Sequence, residues 1–181
     1  MTDQKPDFSN VEGRVNGVVV KPKSVVPAKP AVAIAAAVIA AAMALIRQWE
    51  GEPLKSYQDI VGVWTACVGH TGPDVIPNHT YTREQCDKML ETDTGRAYAY
   101  VAKCIRQDLP VPVLAAFTSL TFNVGPGGVC GSTLQKRANA KELNAACSQI
   151  LRWNRAGGKI VQGLVNRRKA EYDLCMTGVP K

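Results

Sequence analysis

The chain has 181 residues, 46% of them hydrophobic and 20% charged, with 22 Lys and Arg against 15 Asp and Glu for a formal net charge of +7. That length buries one real core and leaves no room for two full domains, and the composition excludes wholesale disorder and collagen-like repeats. The basic balance favours an anionic partner, such as nucleic acid, anionic lipid or an acidic polymer, without choosing among them.

Residues 1–30 carry four prolines (Pro6, Pro22, Pro27, Pro30) and no sustained hydrophobic period, and read as a disordered tail. Ala31 to Ile46 is an unbroken apolar run of 16 residues, nine of them Ala. As a helix it spans roughly 24 Å at about 1.5 Å per residue, short of a hydrocarbon core of about 30 Å. Three readings fit it. It is a weak membrane anchor with Lys21, Lys23 and Lys29 holding the N-terminus in the cytoplasm, a cleaved signal with Ala42-Met43-Ala44 as the cleavage site, or a buried Ala-rich helix. The globular part is residues 47–181.

Leu45, Ile46 and Trp49 form the apolar stripe of a short helix that ends near Glu50-Gly51, ahead of Pro53. Tyr57 to Val68 is rich in β-branched and aromatic residues and reads as a small antiparallel sheet, with a turn at Val61-Gly62-Val63. Thr82 and Gln85 fit a capping box that opens a helix running to about Ile105. Further helices are expected at Val113–Val124, stopped by Gly125-Pro126-Gly127-Gly128, at Ala140–Trp153 and at Gly163–Met176. The fold class is α+β and mostly helical: a small sheet lobe, a connecting helix and a larger helical lobe.

The six cysteines, Cys67, Cys86, Cys104, Cys130, Cys147 and Cys175, form no CxxC pair, and His70 and His79 are the only histidines. No metal site is expected from that set. An even number of widely spaced cysteines suits three disulfides in an oxidising compartment; the alternative is six buried thiols in the cytosol.

The stretch that carries chemistry is residues 49–72. Glu50 is followed after eight residues by Asp59 and after five more by Thr65. The first carboxylate closes a helix, and the other two groups lie on the sheet. Such an arrangement can put carboxyls on opposite walls of one cleft, as glycosidic hydrolysis requires. Two acids and a Thr at these spacings also occur by chance as solvated surface residues.

The neighbouring residues distinguish the cases. Glu50-Gly51, Tyr57, Asp59, Gly62, Trp64-Thr65 and Gly69-His70-Thr71-Gly72 together resemble the catalytic segment of phage-type lysozymes, glycoside hydrolase family 24. The likeness continues through YTREQC at 81–86, TFNVGPG at 121–127, and LRWNRAGGK and GLVNRR within 151–168. It spans about Leu45 to Thr177. The apolar segment and tail resemble those of signal-anchor-release endolysins of phages of Gram-negative bacteria.

The resemblance implies a two-lobed lysozyme-like domain and an endolysin that hydrolyses the β-1,4 bond between N-acetylmuramic acid and N-acetylglucosamine in peptidoglycan, lysing the host. Glu50 is then the general acid, and Asp59 and Thr65 position water on the other face of the sugar, making the enzyme inverting. Phe122 and Thr133 match cleft-lining positions, although Phe122 fits the core equally well, and Trp153 matches a core aromatic. Glu52, two residues beyond Glu50, is expected to be exposed, and His70 to pair with Asp93 rather than act as a base. The implied disulfides are Cys67–Cys86, Cys147–Cys175 and, with those made, Cys104–Cys130. No cysteine lies in residues 31–46, so thiol exchange with an anchor cysteine does not control this chain. The expected partners are peptidoglycan and, through residues 31–46, the host inner membrane, from which a monomer passes to the periplasm; secretion after signal cleavage is the other route. No cofactor and no nucleic-acid partner is expected. Residues 131–169, with nine Lys or Arg and one Glu, are a candidate basic surface. A non-catalytic peptidoglycan-binding protein of the same fold is the rival reading.

Overall fold

A computed structural model describes residues 14–15, 18–19, 31–51, 53–59 and 62–180. Two compact units divide at Pro30. In the first, β1 (Arg14–Val15) and β2 (Val18–Val19) pair antiparallel, with Val15 opposite Val18. The rest of the expected disordered tail lies outside the described residues, as do Glu52, Ile60 and Val61.

The second unit opens with α1 (Ala31–Arg47), which buries Val38, Ala42, Leu45 and Ile46. Those positions follow the i, i+4, i+7, i+8 spacing of a single helix face. Its first turn is exposed, Val32 at 78%. Leu45 and Ile46 therefore do not begin a separate short helix: they are the last turn of α1. The backbone amides of Trp49 and Glu50 still bond to the Ile46 carbonyl, at 3.0 and 3.2 Å.

A three-stranded antiparallel sheet follows, with β3 (Tyr57–Gln58), β4 (Trp64–Ala66) and β5 (His70–Thr71) in that order. Tyr57 stands opposite Thr65, and Ala66 opposite His70. The β4–β5 turn needs positive φ at Cys67 (52°) and Gly69 (72°). A side chain at such a φ costs on the order of 1 kcal/mol. The disulfide of Cys67 to Cys86 holds the turn.

Helix α2 (Arg83–Cys104) begins with the expected capping box: Thr82 accepts from the Gln85 amide and Gln85 accepts from the Thr82 amide. Helix α3 (Val111–Val124) is buried continuously from Val113 to Thr121, enclosed by α1, α2 and α7 (Gln162–Thr177). Its buried hydroxyls turn inward, Thr118 to the Leu114 carbonyl and Thr121 to the Phe117 carbonyl. After the short α4 (Pro126–Val129) the chain departs from expectation. An additional helix, α5 (Thr133–Asn139), comes first, and the helix expected over 140–153 is shorter, α6 (Leu143–Gln149) running into a 3-10 turn (Ile150–Arg152). Ser132 caps α5 by accepting from the Gln135 amide, and a positive φ of 61° at Lys141 breaks the chain between the two helices. A hairpin, β6 (Arg155–Ala156) and β7 (Lys159–Ile160), precedes α7, turned by Gly157 and Gly158 at positive φ.

Three apolar clusters result. The large one fills the helical lobe around Phe117, Leu120, Leu134 and Ile150. A small one, Ala66, Cys67, Val75, Tyr81 and Cys86, fills the sheet lobe. The third, Ile46, Val68 and Leu90 with Met43 and Phe122 against it, joins α1, the β4–β5 turn and α2. The six cysteines form Cys67–Cys86, Cys104–Cys130 and Cys147–Cys175, with Cα separations of 5.2, 5.7 and 5.7 Å.

The Cys147–Cys175 bond ties α6 to α7 across a sequence separation of 28 residues. Loop-closure entropy for that span is about 3–4 kcal/mol. Replacing both cysteines with Ala is expected to lower the urea-unfolding free energy by about that amount, whereas Val32→Ala, on the exposed turn of α1, is expected to stay within about 0.5 kcal/mol.

Candidate active site

Glu50 follows the last turn of α1, with 28% of its side chain exposed. Its Oε1 accepts from Arg167 Nη1 at 2.5 Å, so the end of α1 is held to the start of α7. Arg167 also donates from Nε to Glu171 Oε1 at 3.3 Å. Ser119 Oγ of α3 donates to that same oxygen at 2.8 Å, and Arg168 Nε faces Glu171 Oε2 at 3.0 Å. Arg168 Nη2 donates to Asn123 Oδ1 at 2.8 Å. The network therefore runs from Glu50 to Arg167, Glu171 and Arg168 and is anchored on α3 at both Ser119 and Asn123. Burial pushes the Glu171 carboxyl above the usual carboxylate range, against the pull of Arg168, Ser119 and Arg167. Burial lowers Arg168 below the usual guanidinium value, opposed by Glu171 and assisted by Arg167.

Asp59 and Thr65 come together on the β3–β4 hairpin. Asp59 Oδ1 accepts from the Val63 amide at 2.8 Å, and the Asp59 amide donates to the Val63 carbonyl at 2.9 Å. The Gly62 amide donates to the Asp59 carbonyl at 3.0 Å, with Gly62 at φ 79°. Thr65, on β4, is 4% exposed and donates from Oγ1 to the Val63 carbonyl at 3.2 Å. One residue, Val63, thus fixes both polar side chains. Glu50 is held by the helical lobe, and Asp59 and Thr65 by the sheet lobe.

Phe122 and Thr133 stand apart from each other. Phe122 lies half-buried on α3, against the Ile46–Val68–Leu90 cluster. It also lines a cavity of about 310 Å³ with Gly69, Thr71, Asp93, Arg96 and Tyr100. Thr133 is the exposed first residue of α5, in a separate recess with Ser132, Gln149, Arg152 and Trp153. The Trp153 ring packs partly buried against the helical-lobe core. Among the described residues, no three His, Cys, Asp or Glu side chains group to hold a metal ion.

His70, 4% exposed, bridges two carboxylates: Nδ1 meets Asp93 Oδ2 at 2.7 Å and Nε2 meets Asp74 Oδ2 at 3.1 Å. Both ring nitrogens face carboxylate acceptors, an arrangement that favours the protonated ring. The basic surface is smaller than the residue count suggests. Arg167 and Arg168 are buried in the network above, Arg137 pairs with Glu142, and Lys169 pairs with Asp173. The exposed remainder is Lys136, Lys141, Arg152, Arg155 and Lys159. Sequence reasoning counted Arg167 and Arg168 as surface charge and passed over Glu171. The available signal was the spacing of Arg167, Arg168 and Glu171 at i, i+1 and i+4 on one helix, which lets both cations meet the acid.

The phage lysozyme family model matches residues 47–171. The chain belongs to the phage lysozyme family. It is 40% identical over 129 residues to the SAR-endolysin of Enterobacteria phage P21, covering 71% of this chain and 78% of that one. Among solved structures, the active form of the P1 phage endolysin Lyz superposes with a TM-score of 0.72 at 25% identity, over 83% of this chain and 96% of that one. A phage P22 lysozyme variant superposes with a TM-score of 0.68 at 33% identity, over 75% and 94% of the two chains.

Burial alone would lower the His70 pKa, but the hydrogen bond and charge of Asp93, then those of Asp74, raise it above its ordinary value. A value raised by folding means that the protonated ring stabilises the fold fully below the unfolded pKa of about 6.5 and that this contribution is lost as pH rises through the folded value. The urea midpoint of this protein is therefore expected to fall as pH climbs from about 6.5. His70→Gln is expected to lower the midpoint at acid pH and to flatten that part of the profile.

Proposed function

We propose that this protein is a phage endolysin that hydrolyses peptidoglycan as a muramidase, with Glu50 as the general acid and Asp59 and Thr65 handling water. The observation that carries the reading is the division of the two carboxylates between the lobes: Glu50 is fixed by Arg167 on α7, and Asp59 is fixed by Val63 on the sheet. Family membership and the SAR-endolysin relatives support the same assignment.

The bond cut is the β-1,4 link after N-acetylmuramic acid. Glu50 gives its proton to the departing glycosidic oxygen as the bond to the anomeric carbon breaks. Water attacks that carbon from the opposite face, placed by the Thr65 hydroxyl and the Asp59 carboxylate, and Asp59 takes its proton. Single displacement inverts the anomeric centre and suits a carboxyl separation on the order of 6.5–9.5 Å. Phe122 and Thr133 are proposed saccharide contacts. The exposed lysines and arginines of α5, the 3-10 turn and the β6–β7 hairpin add a diffuse attraction for the carboxylates of peptide stems.

Residues 31–46 are proposed to serve first as a weak anchor in the host inner membrane, N-terminus in the cytoplasm, and then as α1 of a monomeric enzyme in the periplasm. Among the described residues no helix is long and apolar enough to cross a membrane. The packed state supplies a competing solvent for the same side chains, since Val38, Ala42, Leu45 and Ile46 are buried in the enzyme. Lengthening the apolar side chains on the less buried face, with Ala35→Leu and Ala40→Leu, is expected to retain the protein in the membrane fraction and delay lysis. Unchanged release on fractionation would refute the anchor.

The decisive experiment digests purified peptidoglycan with the parent chain and with Glu50→Gln and Asp59→Asn. The parent is expected to release reducing N-acetylmuramic ends, initially as the inverted anomer. Each variant is expected to lose roughly 10²–10⁴-fold in rate. A folded parent chain that binds peptidoglycan and releases nothing would instead establish the non-catalytic binding protein.

A further inference from the structure

We propose that Glu171, backed by Ser119, is a positioning residue for this reaction: it fixes the plane of the Arg167 guanidinium and, through it, the place of the Glu50 carboxyl. The inference rests on the muramidase reading and extends it to residues remote from the bond that breaks. Glu171 is fully buried on α7, one helical turn beyond Arg167. A carboxylate is a poor choice there for stability alone, since well-packed apolar side chains commonly replace a buried ion cluster without loss. It does what an apolar group cannot, which is to fix a direction. Its Oε1 takes two donors, Ser119 Oγ at 2.8 Å and Arg167 Nε at 3.3 Å. Ser119 lies on α3, the most enclosed helix of the lobe, so the carboxylate is referenced to the core and not only to its own helix. A guanidinium is planar and rigid. With Nε held, the direction of Nη1 is set, and Nη1 is the atom that reaches Glu50 Oε1 at 2.5 Å.

The same carboxylate divides the charge of Arg167. Two guanidiniums, Arg167 and Arg168, face two carboxylates, Glu50 and Glu171, and the α3 side chains bonded into the cluster, Ser119 and Asn123, are neutral. Without Glu171 the Arg167 charge would fall on Glu50 alone, the one group that must release a proton to substrate. Catalytic geometry is unforgiving of small displacements, so loosening this arm is expected to lower turnover while leaving saccharide binding intact.

The test uses the full chain and compares the parent with Glu171→Gln, Ser119→Ala, Arg167→Lys and the double variant Glu171→Gln/Arg167→Lys. Release of reducing N-acetylmuramic ends gives kcat and KM separately, and near-ultraviolet circular dichroism checks the fold. Glu171→Gln is expected to lower kcat about tenfold with KM within about twofold. Ser119→Ala is expected to lower kcat about threefold, and the double variant to be no slower than Arg167→Lys alone, because Glu171 acts through Arg167. Losses that multiply in the double variant, or a folded Glu171→Gln that keeps the parent kcat, would overturn the inference and leave the muramidase reading standing. If Glu171→Gln fails to fold, Ser119→Ala decides, since it keeps the carboxyl: an unchanged kcat there overturns the inference. A parent chain that releases no sugar ends overturns the muramidase reading and the inference with it.

Discussion

Two adjacent guanidiniums, Arg167 and Arg168, are buried at the second turn of α7, and much of the helical lobe is arranged to make that tolerable. Removing a cation from water costs several kcal/mol even after relaxation, so each needs an acceptor at close range. Glu171 serves both, but one carboxylate cannot neutralise two cations. The second acceptor is the Glu50 carboxyl, which Arg167 reaches across a sequence separation of 117 residues. The end of α1 is thereby bound to α7 by a charge requirement as well as by packing. Asn123 and Ser119 then fix the cluster to α3, which gives these two of its polar side chains a partner on α7.

Helix α1 meets that requirement with modest apolar means. Only four of its side chains are buried, and one of those is Ala42. Burying a Val, Leu or Ile contributes about 1.5–3 kcal/mol each. The remaining Ala-rich surface contributes little in either water or lipid. On the proposed membrane route this near-balance is the useful property, because neither environment holds the segment strongly. The ion pair of Glu50 with Arg167 is available only in the packed state, so it tips the balance towards the enzyme and completes the site in the same event.

The parts of the fold legible in the sequence are those with local signals. Thr82 and Gln85 announce α2 because the capping box is a property of four consecutive residues. Gly125 ends α3 as expected. The Gly157-Gly158 turn is equally local, since two consecutive glycines between short β-forming stretches mark a hairpin. The break between α5 and α6 was less legible, since Lys141 adopts positive φ without the Gly or Asn that usually marks it. The division at Ile46 between an apolar segment and a globular domain followed hydropathy, whereas the helix follows its hydrogen bonds and runs through to Arg47. Of the candidate site, Glu50, Asp59 and Thr65 are proposed from a motif that lies within 16 consecutive residues. Glu171 was not legible in that way, because its partners Arg167, Arg168 and Ser119 are brought together only by the packing of α7 on α3.

The sheet lobe faces the opposite problem, too little core. Its strands are two and three residues long, and its own cluster has five buried residues. A sheet of that size is not stable alone. Two links fasten it to α2 instead: the Cys67–Cys86 disulfide and the His70–Asp93 pair, one from each side of the β4–β5 turn. With both made, the hairpin that carries Asp59 and Thr65 is referenced to α2. Ile46, Val68 and Leu90 then connect α2 to the last turn of α1, which Glu50 follows. The spacing of the two carboxylates is thus transmitted through one disulfide, one ion pair and three apolar side chains. Disulfides do not persist in a reducing cytosol. On the proposed route, the link that locates Asp59 and the ion pair that locates Glu50 both form only outside it. On that same proposed route the cleft is assembled in the periplasm and stays incomplete in the cytosol.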